Sequence, residues 1–292
     1  GLPTITDAIA IDGYSQPGAS TNTLALGNDA VLQIELDGAL AGAGSYGLDL
    51  GTGSDGSTIQ GLIINGFNDA GAGAGIHVGS DNNLIKGNFV GTDDIGATAI
   101  GNRIGLYITG SDNFIGGVSP TTRNLLSGNN GYGIYISNGL GGGDRNIVLG
   151  NYIGVDAAGS AALPNTWNGV YVSGTANEIG AAGAGNVIGG HGDYGVRIEG
   201  ATNTVVQGNY IGTNAAGTIA IGNANGIGVT FGATGTVIGG GVSGEGNLIS
   251  GNIGSGVYIS AGISTIAQGN LIGTAADGIT PLGNHSYGLL VD

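Results

Sequence analysis

The chain has 292 residues, of which 67 are glycine and 5 are proline, and its 20 acidic against 5 basic side chains give a formal net charge of −15. Glycine does not recur strictly every third residue, which excludes a collagen-like helix, and 40 % hydrophobic with only 9 % charged residues excludes a disordered chain. The negative charge repels phosphate backbones and anionic membrane surfaces, so we expect no nucleic-acid partner. The sequence has no apolar run long enough to span a membrane and no cysteine for disulfides or thiolate metal sites.

Residues 1–46 precede the first clear internal repeat, and we expect them to form N-terminal capping turns that lead into the repeats. The repeat is a glycine, an aliphatic residue, any residue and a second aliphatic residue, and its copies start 26 to 36 residues apart. The copies lie at 47–50, 75–78, 105–108, 133–136, 169–172, 195–198, 226–229, 256–259 and 288–291. On a β-strand the two aliphatic side chains point to one side and the residue between them to the other. Each copy therefore predicts a short strand with buried aliphatic side chains.

Further apolar stretches follow the copies, such as NIVLGN at 146–151 and NLISGN at 247–252. Short strands separated by Gly and Asn, without a helical period, are typical of a parallel β-helix whose turns stack about 4.8 Å apart. Glycine disfavours helical repeats, and a β-propeller would need antiparallel hairpins of comparable length. We therefore predict an all-β solenoid of about eight full coils, with residues 47–292 as one continuous domain.

A ten-residue segment recurs about every sixty residues, the length of two repeats. Its copies are GNFVGTDDIG at 87–96, GNYIGVDAAG at 150–159, GNYIGTNAAG at 208–217 and GNLIGTAADG at 269–278. Gly and Asn reach left-handed backbone conformations with little strain, so we interpret the segment as a corner and the longer period as a pair of alternating turns. We expect the asparagines at the bends to form one structural column with hydrogen-bonded amides; its members are Asn88, Asn129, Asn151, Asn209, Asn252 and Asn270.

The pieces GVYI, N-x-I-x-G-N and NLISGN resemble the repeats of right-handed, pectate-lyase-like parallel β-helix proteins over residues 47–292. The opening LPTITDAIAIDGYSQPGAS also resembles the start of β-helical regions in large bacterial secreted and surface proteins. The resemblance implies a right-handed parallel β-helix and an extracellular or cell-surface location. The absence of methionine and the final GLLVD, where another repeat begins, favour a segment of a larger protein. Activity stays open, because this superfamily includes lyases, hydrolases, epimerases and non-catalytic adhesive stalks.

The middle residue of each copy points outward, so the outward column can be read from the sequence. It runs Asp49, His77, Tyr107, Tyr135, Tyr171, Arg197, Gly228, Tyr258 and Leu290. Tyrosines one coil apart would offer aromatic faces edged with hydroxyls to sugar rings, or would instead stabilise the sheet by cross-strand packing. An insertion in the longest repeat delivers the only tryptophan, either as the wall of a groove or as a tolerated surface loop. The binding candidates for a polysaccharide or a cell-surface partner are Tyr107, Tyr135, Tyr171, Trp167 and Arg197.

A catalytic interpretation rests on the polar stretch HGDYGVRIE at 191–199. Elimination from a uronic acid needs a base for the proton next to the carboxylate and a cation to neutralise that carboxylate. Tyr171 or His191, together with Arg197, would supply both. The strings GTDD and GHG echo polygalacturonase-type hydrolases, but Asp94 and His191 are 97 residues apart instead of about one turn, so no hydrolase residues are assigned.

The corner carboxylates Asp93, Asp94 and Asp156 are the candidates for a metal site, since calcium takes oxygen ligands. Other copies of the corner hold Asn214 and Ala275, which favours a turn, and the glycine-aspartate pattern of calcium-binding β-rolls is absent. The sequence requires no cofactor and leaves Ca²⁺ as the one to test.

We expect a non-catalytic β-solenoid segment of a secreted or cell-surface protein, a stalk or adhesive module that presents the tyrosine strip to glycans or proteins. The alternative is a polysaccharide-active enzyme, namely a polyuronate lyase or epimerase and less readily a glycoside hydrolase. The two ends of such a rod are unpaired strand edges, so we also expect end-to-end self-association.

Overall fold

The chain forms three parallel β-sheets of nine strands each, which we number in the order in which one coil contributes to them. The protein is described by a computed structural model covering residues 1–68, 71, 73–139 and 141–292. Each strand pairs in parallel with the equivalent strand of the next coil, because every coil repeats the path of the one before. The prediction of an all-β parallel solenoid of about eight turns is confirmed. Within the described ranges the helices are the 3-10 turns Gly13–Ser15 and Pro120–Thr122.

Sheet 1 consists of β1 (Ala10–Asp12), β4 (Thr58–Gln60), β7 (Leu84–Lys86), β10 (Phe114–Gly116), β13 (Ile147–Leu149), β16 (Glu178–Ile179), β19 (Val205–Val206), β22 (Val237–Gly239) and β25 (Ile266–Gln268). Sheet 2 consists of β2 (Ile34–Asp37), β5 (Leu62–Asn65), β8 (Phe89–Val90), β11 (Leu125–Leu126), β14 (Tyr152–Ile153), β17 (Val187–Ile188), β20 (Tyr210–Ile211), β23 (Leu248–Ile249) and β26 (Leu271–Ile272). Sheet 3 consists of β3 (Tyr46–Leu50), β6 (Ala74–Val78), β9 (Ile104–Ile108), β12 (Ile134–Ile136), β15 (Val170–Val172), β18 (Tyr194–Glu199), β21 (Asn225–Thr230), β24 (Val257–Ile259) and β27 (Leu289–Val291). Residues 1–46 already contribute β1 and β2 to the sheets; the boundary at residue 46 stays a prediction.

One hydrophobic core runs inside the coil and is lined by the inward side chains of all three sheets. In sheet 3, Leu106, Ile134 and Val170 pair in register and have no exposed surface. The residue between the two aliphatic positions points outward, as the period of two along a strand requires. Burying each inward aliphatic side chain contributes about 1.5–3 kcal/mol to the free energy of unfolding. Stability therefore increases with each coil.

Ladders of polar side chains hold the corners between the sheets. In the first ladder, just before sheet 2, the side-chain carbonyl of Asn151 accepts hydrogen bonds from the backbone N–H of Asn124 at 3.3 Å and from its amide at 2.9 Å. The members are Asn88, Asn124, Asn151, Asn186, Asn209, Asn247 and Asn270. The second ladder, just before sheet 3, contains Asn102, Asn129, Asn165, His191, Asn223, Asn252 and Asn284. A third, before sheet 1, contains Asn83, Asn113, Asn146 and Asn177.

The structure divides the six asparagines predicted to share one column between two of these ladders. Asn88, Asn151, Asn209 and Asn270 lie in the first ladder, whereas Asn129 and Asn252 lie in the second. The chain bends on both sides of sheet 2, and at both bends the sequence places Gly-Asn after an apolar stretch. The two corners therefore look alike in the sequence although they lie on opposite sides of the sheet.

The recurring ten-residue segment is more than a corner. Within 150–159, Asn151 belongs to the first ladder, Tyr152 and Ile153 form β14, and the rest begins a hairpin closed by an antiparallel bridge between Val155 and Ala162. The other hairpins are closed by the bridges Thr92–Ala99, Thr213–Ala220 and Thr274–Pro281. The interpretation as a corner is therefore incomplete: the Gly-Asn pair lies at a bend, whereas the end of the segment forms a hairpin, because Gly, Asn and Asp serve hairpin turns as well as bends.

These hairpin loops occur in every second coil and fold over the outer face of sheet 2. They also bond to one another: the N–H of Ala157 donates to the carbonyl of Gly96 at 2.9 Å, and the N–H of Ala215 donates to Gly159 at 2.8 Å. Beneath them, Phe89, Leu125 and Tyr152 are buried in a second apolar cluster outside the coil. One hairpin covers the outward side chains of two coils, which accounts for the period of about sixty residues.

Candidate functional site

The outer face of sheet 3 carries the column of outward residues. Asp49 pairs with His77, His77 with Tyr107, and the register continues through each coil to Leu290. Tyr135 lies between Tyr107 and Tyr171. One residue per coil faces outward at the same height of its strand, so the rings approach one another along the axis of the rod.

Along the first coils the rings cover one another's faces. Tyr46 stacks on His77 with ring centroids 4.8 Å apart, His77 on Tyr107 at 5.1 Å, and Tyr107 on Tyr135 at 5.4 Å. The planes of these pairs differ by 20° to 29°, so they lie nearly parallel. Each ring therefore packs its faces against its neighbours, and this part of the strip presents ring edges and hydroxyls instead of the expected open faces.

The ring orientation changes where the strip reaches β15. Tyr132 stacks on Tyr135 at 4.9 Å, but Tyr171 lies edge-on to both, with interplanar angles of 64° and 79°. Trp167 also meets Tyr132 edge-on, at 5.1 Å and 80°. Trp167 is 41 % exposed, and the guanidinium of Arg103 lies 5.7 Å from the centre of its ring. Tyr171 and Trp167, whose rings lie edge-on to the stack, thus form an aromatic surface that we call the aromatic corner.

Sequence reasoning missed Tyr132, although a signal was present. Tyr132 directly precedes the motif glycine, as do Tyr46, Tyr194 and Tyr287. A tyrosine in this position recurs often enough to mark a second aromatic column beside the first. Tyr194 belongs to it, and a Cβ at Gly228 would lie 2.6 Å from its ring, so the glycine of the outward column makes room for that ring.

Acidic side chains surround the arginine that follows the tyrosines. Arg197 lies 3.4 Å from Asp193 and 2.8 Å from Glu199. Burial and, after it, the negative charge of Glu199 raise the pKa of Tyr171 well above its ordinary value. Tyr171 is therefore a neutral phenol at physiological pH and serves as a hydrogen-bond donor, while the charge of Arg197 is already compensated.

His191 lies elsewhere. It takes an asparagine's place in the second ladder, where its ring nitrogens lie 3.3 Å from the carbonyl of Asn165 and 3.2 Å from that of Ile153. Only 1 % of the residue is exposed, and this burial lowers the pKa of the imidazole to about 4. The structure brings Tyr171 and Arg197 onto one face and keeps His191 inside the wall of the coil, so the three side chains do not converge on a common open site.

A polar network that the sequence did not reveal lies at the other end of the strip. A carboxylate oxygen of Asp49 lies 2.7 Å from Nδ1 of His77, and Nε2 of His77 lies 3.1 Å from the hydroxyl of Thr109. The hydroxyl of Thr4 donates to Asp49 at 2.6 Å. Asp49 and His77 are neighbours in the outward column, but Thr109 lies just beyond a motif, where the repeat carries no signal.

The corner carboxylates cap the hairpin loops. Asp93 accepts hydrogen bonds from the backbone N–H groups of Ala97 and Thr98, and Asp156 accepts the equivalent bonds from Ser160 and Ala161. Burial alone would raise the pKa of Asp93, but hydrogen bonds from Thr98 and the loop backbone outweigh it and hold the pKa below its usual range. Asp94 is exposed beside this cap.

Across the described part of the chain, no group of three or more His, Asp or Glu side chains is placed to hold a metal ion. None of the helices in the described residues is long and apolar enough to cross a membrane. No protein-family model matches the sequence, and a search of curated proteins finds no significant relative.

Proposed function

We propose that the protein is a non-catalytic β-solenoid stalk or adhesive module that binds a neutral glycan on the outer face of sheet 3. The supporting observation is the change of ring orientation at Trp167 and Tyr171. Before this point the rings occupy one another's faces, so sugar rings find a stacking surface only where the stack turns.

The polar groups beside this corner suit sugar hydroxyls. Glu199 and Asp193 supply carboxylate acceptors, and Arg197 between them supplies donors. Charge-assisted hydrogen bonds of this kind are stronger than bonds between neutral groups. Arg197, Asp193 and Glu199 together carry a formal charge of −1, and the whole chain carries −15. Because this negative charge repels the carboxylates of a polyuronate, a neutral polysaccharide is the better ligand.

The same geometry speaks against the lyase or epimerase alternative. A base in that reaction would have to be Tyr171 or His191, but the phenol has a raised pKa and the imidazole is buried. The cation, Arg197, is engaged by two carboxylates. We therefore retain the non-catalytic assignment as our proposal.

The proposal also covers the location of the protein and the handedness of its coil. A stalk of this kind acts outside the cell, as part of a secreted or surface-attached protein. We also propose the right-handed winding of pectate-lyase-like solenoids, since crossover connections between parallel strands of one sheet are right-handed in about 98 % of cases.

The test is affinity electrophoresis and calorimetry with neutral glucans, mannans and xylans, and with polyuronates. We expect Trp167→Ala to weaken binding of a neutral glycan about tenfold, which corresponds to about 1.4 kcal/mol of lost stacking. Tyr107→Ala is the matched control and should bind like the wild type, because the faces of Tyr107 are covered by His77 and Tyr135.

Equal weakening in both variants would place binding along the whole strip instead of at the corner. Absence of binding to every glycan would overturn the proposal. Growth of ultraviolet absorbance from an unsaturated product of a polyuronate would replace it with the lyase alternative.

A further inference from the structure

The outer face of sheet 2 carries a channel that the chain fills over only part of its length. Its floor is the outward column of the sheet, paired in register through Ile63, Phe89, Leu125, Tyr152, Val187, Tyr210, Leu248 and Leu271. One wall is the row of hairpin loops, which includes Ala215 and Ala276. The corners between sheets 1 and 2, among them residues 240–244, form the other wall.

The first half of the channel is occupied by residues 13–33, which we call the N-terminal arm. The arm doubles back on itself, with an antiparallel bridge between Ser20 and Val31. Leu32 is buried against the floor, and the hydroxyl of Tyr14 donates to the carbonyl of Gly87 at 2.6 Å. The arm thus lies along the rod and ends in a tip at residues 24–27.

The channel holds this tip through its backbone. The hydroxyl of Tyr152 accepts a hydrogen bond from the N–H of Gly27 at 2.8 Å. The guanidinium of Arg123 lies 4.4 Å from the centre of the Tyr152 ring and donates to the carbonyls of Leu24 at 3.2 Å, Ala25 at 2.9 Å and Gly27. The tip bends at residues 25–27, where Gly27 has a φ of +94°. Recognition through N–H and carbonyl groups depends on the path of the backbone and on small side chains more than on a particular sequence.

Beyond the tip the channel is open, with a volume of about 690 Å³. Tyr210 lies two coils beyond Tyr152 in the same column, and its hydroxyl makes no hydrogen bond within the described part of the chain. Leu271 is 39 % exposed on the floor, and Leu26 of the tip is exposed at the entrance. Among the described residues that line the space, Arg123 beside the tip is the only charged one, so the open half suits an uncharged occupant.

We propose that the open half of the channel binds an uncharged peptide segment of a partner protein, with leucine and small residues like those of the arm tip. The chain's own arm shows which chemistry the channel accepts, and the floor continues without a break from one half to the other. From Val187 to Leu271 the floor advances by three coil steps of about 4.8 Å, which matches about four to five extended residues.

The probe is a fluorescent, end-blocked peptide with the sequence of residues 22–28, NTLALGN, added to the intact protein. We expect saturable one-to-one binding by fluorescence anisotropy. Val242→Asp, on the wall of the channel, should weaken it at least tenfold. Ile253→Asp is the matched control, since Ile253 is 65 % exposed against 68 % for Val242 but lies outside the channel.

A second peptide with aspartate in place of both leucines should not bind. No saturation with the first peptide would overturn the proposal, and so would equal affinity of the Val242→Asp variant and the wild type. Competition for the peptide by a neutral oligosaccharide would also overturn it, by showing that the channel takes sugar.

Discussion

At the scale of the residue, His191 shows how one substitution within a repeat changes chemistry without creating a site. The residues GHG at 190–192 occupy the place of the Gly-Asn pairs at 128–129 and 251–252. Aligning the three stretches assigns the histidine to the asparagine ladder from the sequence alone. Grouping it with Asp193 and Arg197 by proximity in sequence leads instead to a catalytic hypothesis. The structure places the imidazole inside the wall of the coil, because nearness in sequence does not determine which side of the wall a side chain occupies.

Burial of His191 makes folding depend on pH. The ordinary pKa of histidine is about 6.5, and burial lowers that of His191 to about 4. Above pH 6.5 both folded and unfolded forms hold a neutral ring, and stability is complete. As the pH falls below 6.5 the unfolded chain takes up the proton first, so stability is lost progressively until about pH 4.

We therefore expect the imidazole of His191 to remove about 2 kcal/mol of the free energy of unfolding between pH 7 and pH 5. His191→Asn should abolish this difference and continue the ladder, as measured by urea unfolding at both pH values. His285→Asn is the control, because His285 is exposed. If the His191→Asn variant keeps the wild-type dependence between pH 7 and pH 5, the imidazole is not the titrating group.

At the scale of the element, the strands could be predicted and the hairpin loops could not. A strand is recognised by aliphatic residues two positions apart, as in Ile134 and Ile136, because such a pair lies on one side of a strand and can be buried in every coil. The hairpins at 91–100 and 154–163 use Gly and Asp, and the hairpin at 212–221 uses Gly and Asn, which are residue types that also form bends. The recurring ten-residue segment marks where the hairpins lie but not what they form, because their packing against sheet 2 depends on contacts between coils.

The close packing of these loops predicts a large effect at a single glycine. Gly217 has a φ of +68°, and a Cβ there would lie 2.7 Å from that of Ala276 and 2.8 Å from the side chain of Leu248. Gly232 has a φ of +77° but open space around the same position. Gly232→Ala should cost only the backbone strain of about 1–2 kcal/mol.

We expect Gly217→Ala to lower the free energy of unfolding by about 1–3 kcal/mol more than Gly232→Ala, because overpacking adds to the same strain. Chemical denaturation of the two variants beside the wild type measures the difference. If both variants lose the same free energy of unfolding, the hairpin loops accommodate the added methyl group without strain and do not form a tightly packed layer.

At the scale of the whole molecule, the repeat predicts which residues lie on the outer surface of sheet 3 but not how their aromatic rings are oriented. The outward column from Asp49 to Leu290 follows from the motif alone and is found in register. The edge-on orientation of Tyr171 and Trp167 does not follow, because it occurs where Tyr132 of the neighbouring column stacks on Tyr135 and meets both rings at a steep angle. The coincidence of two columns at one coil is invisible to a pattern that treats every coil alike.

The two ends of the rod differ. At the N-terminal end, Ile5 adds a bridge to Leu50 at the edge of sheet 3, and its carbonyl accepts the N–H of Gly51 at 3.0 Å. At the other end β25, β26 and β27 are the last strands of their sheets, and Leu289 and Val291 are 47 % and 66 % exposed. Bare strand edges with apolar side chains are templates for pairing with another chain.

For the 292-residue chain we therefore expect reversible association through the end formed by β25, β26 and β27. Repulsion between copies that each carry a formal charge of −15 opposes it, so association should increase with added salt as well as with protein concentration. Sedimentation across a concentration series, in low and high salt, measures this association.

Replacing Leu289 and Val291 by lysine should abolish association, since charged edges block strand pairing. Ile253→Lys, at a similarly exposed site away from the end, should leave association unchanged. A monomer at every concentration in high salt would refute the prediction, and unchanged association of the double variant would move the contact to another surface.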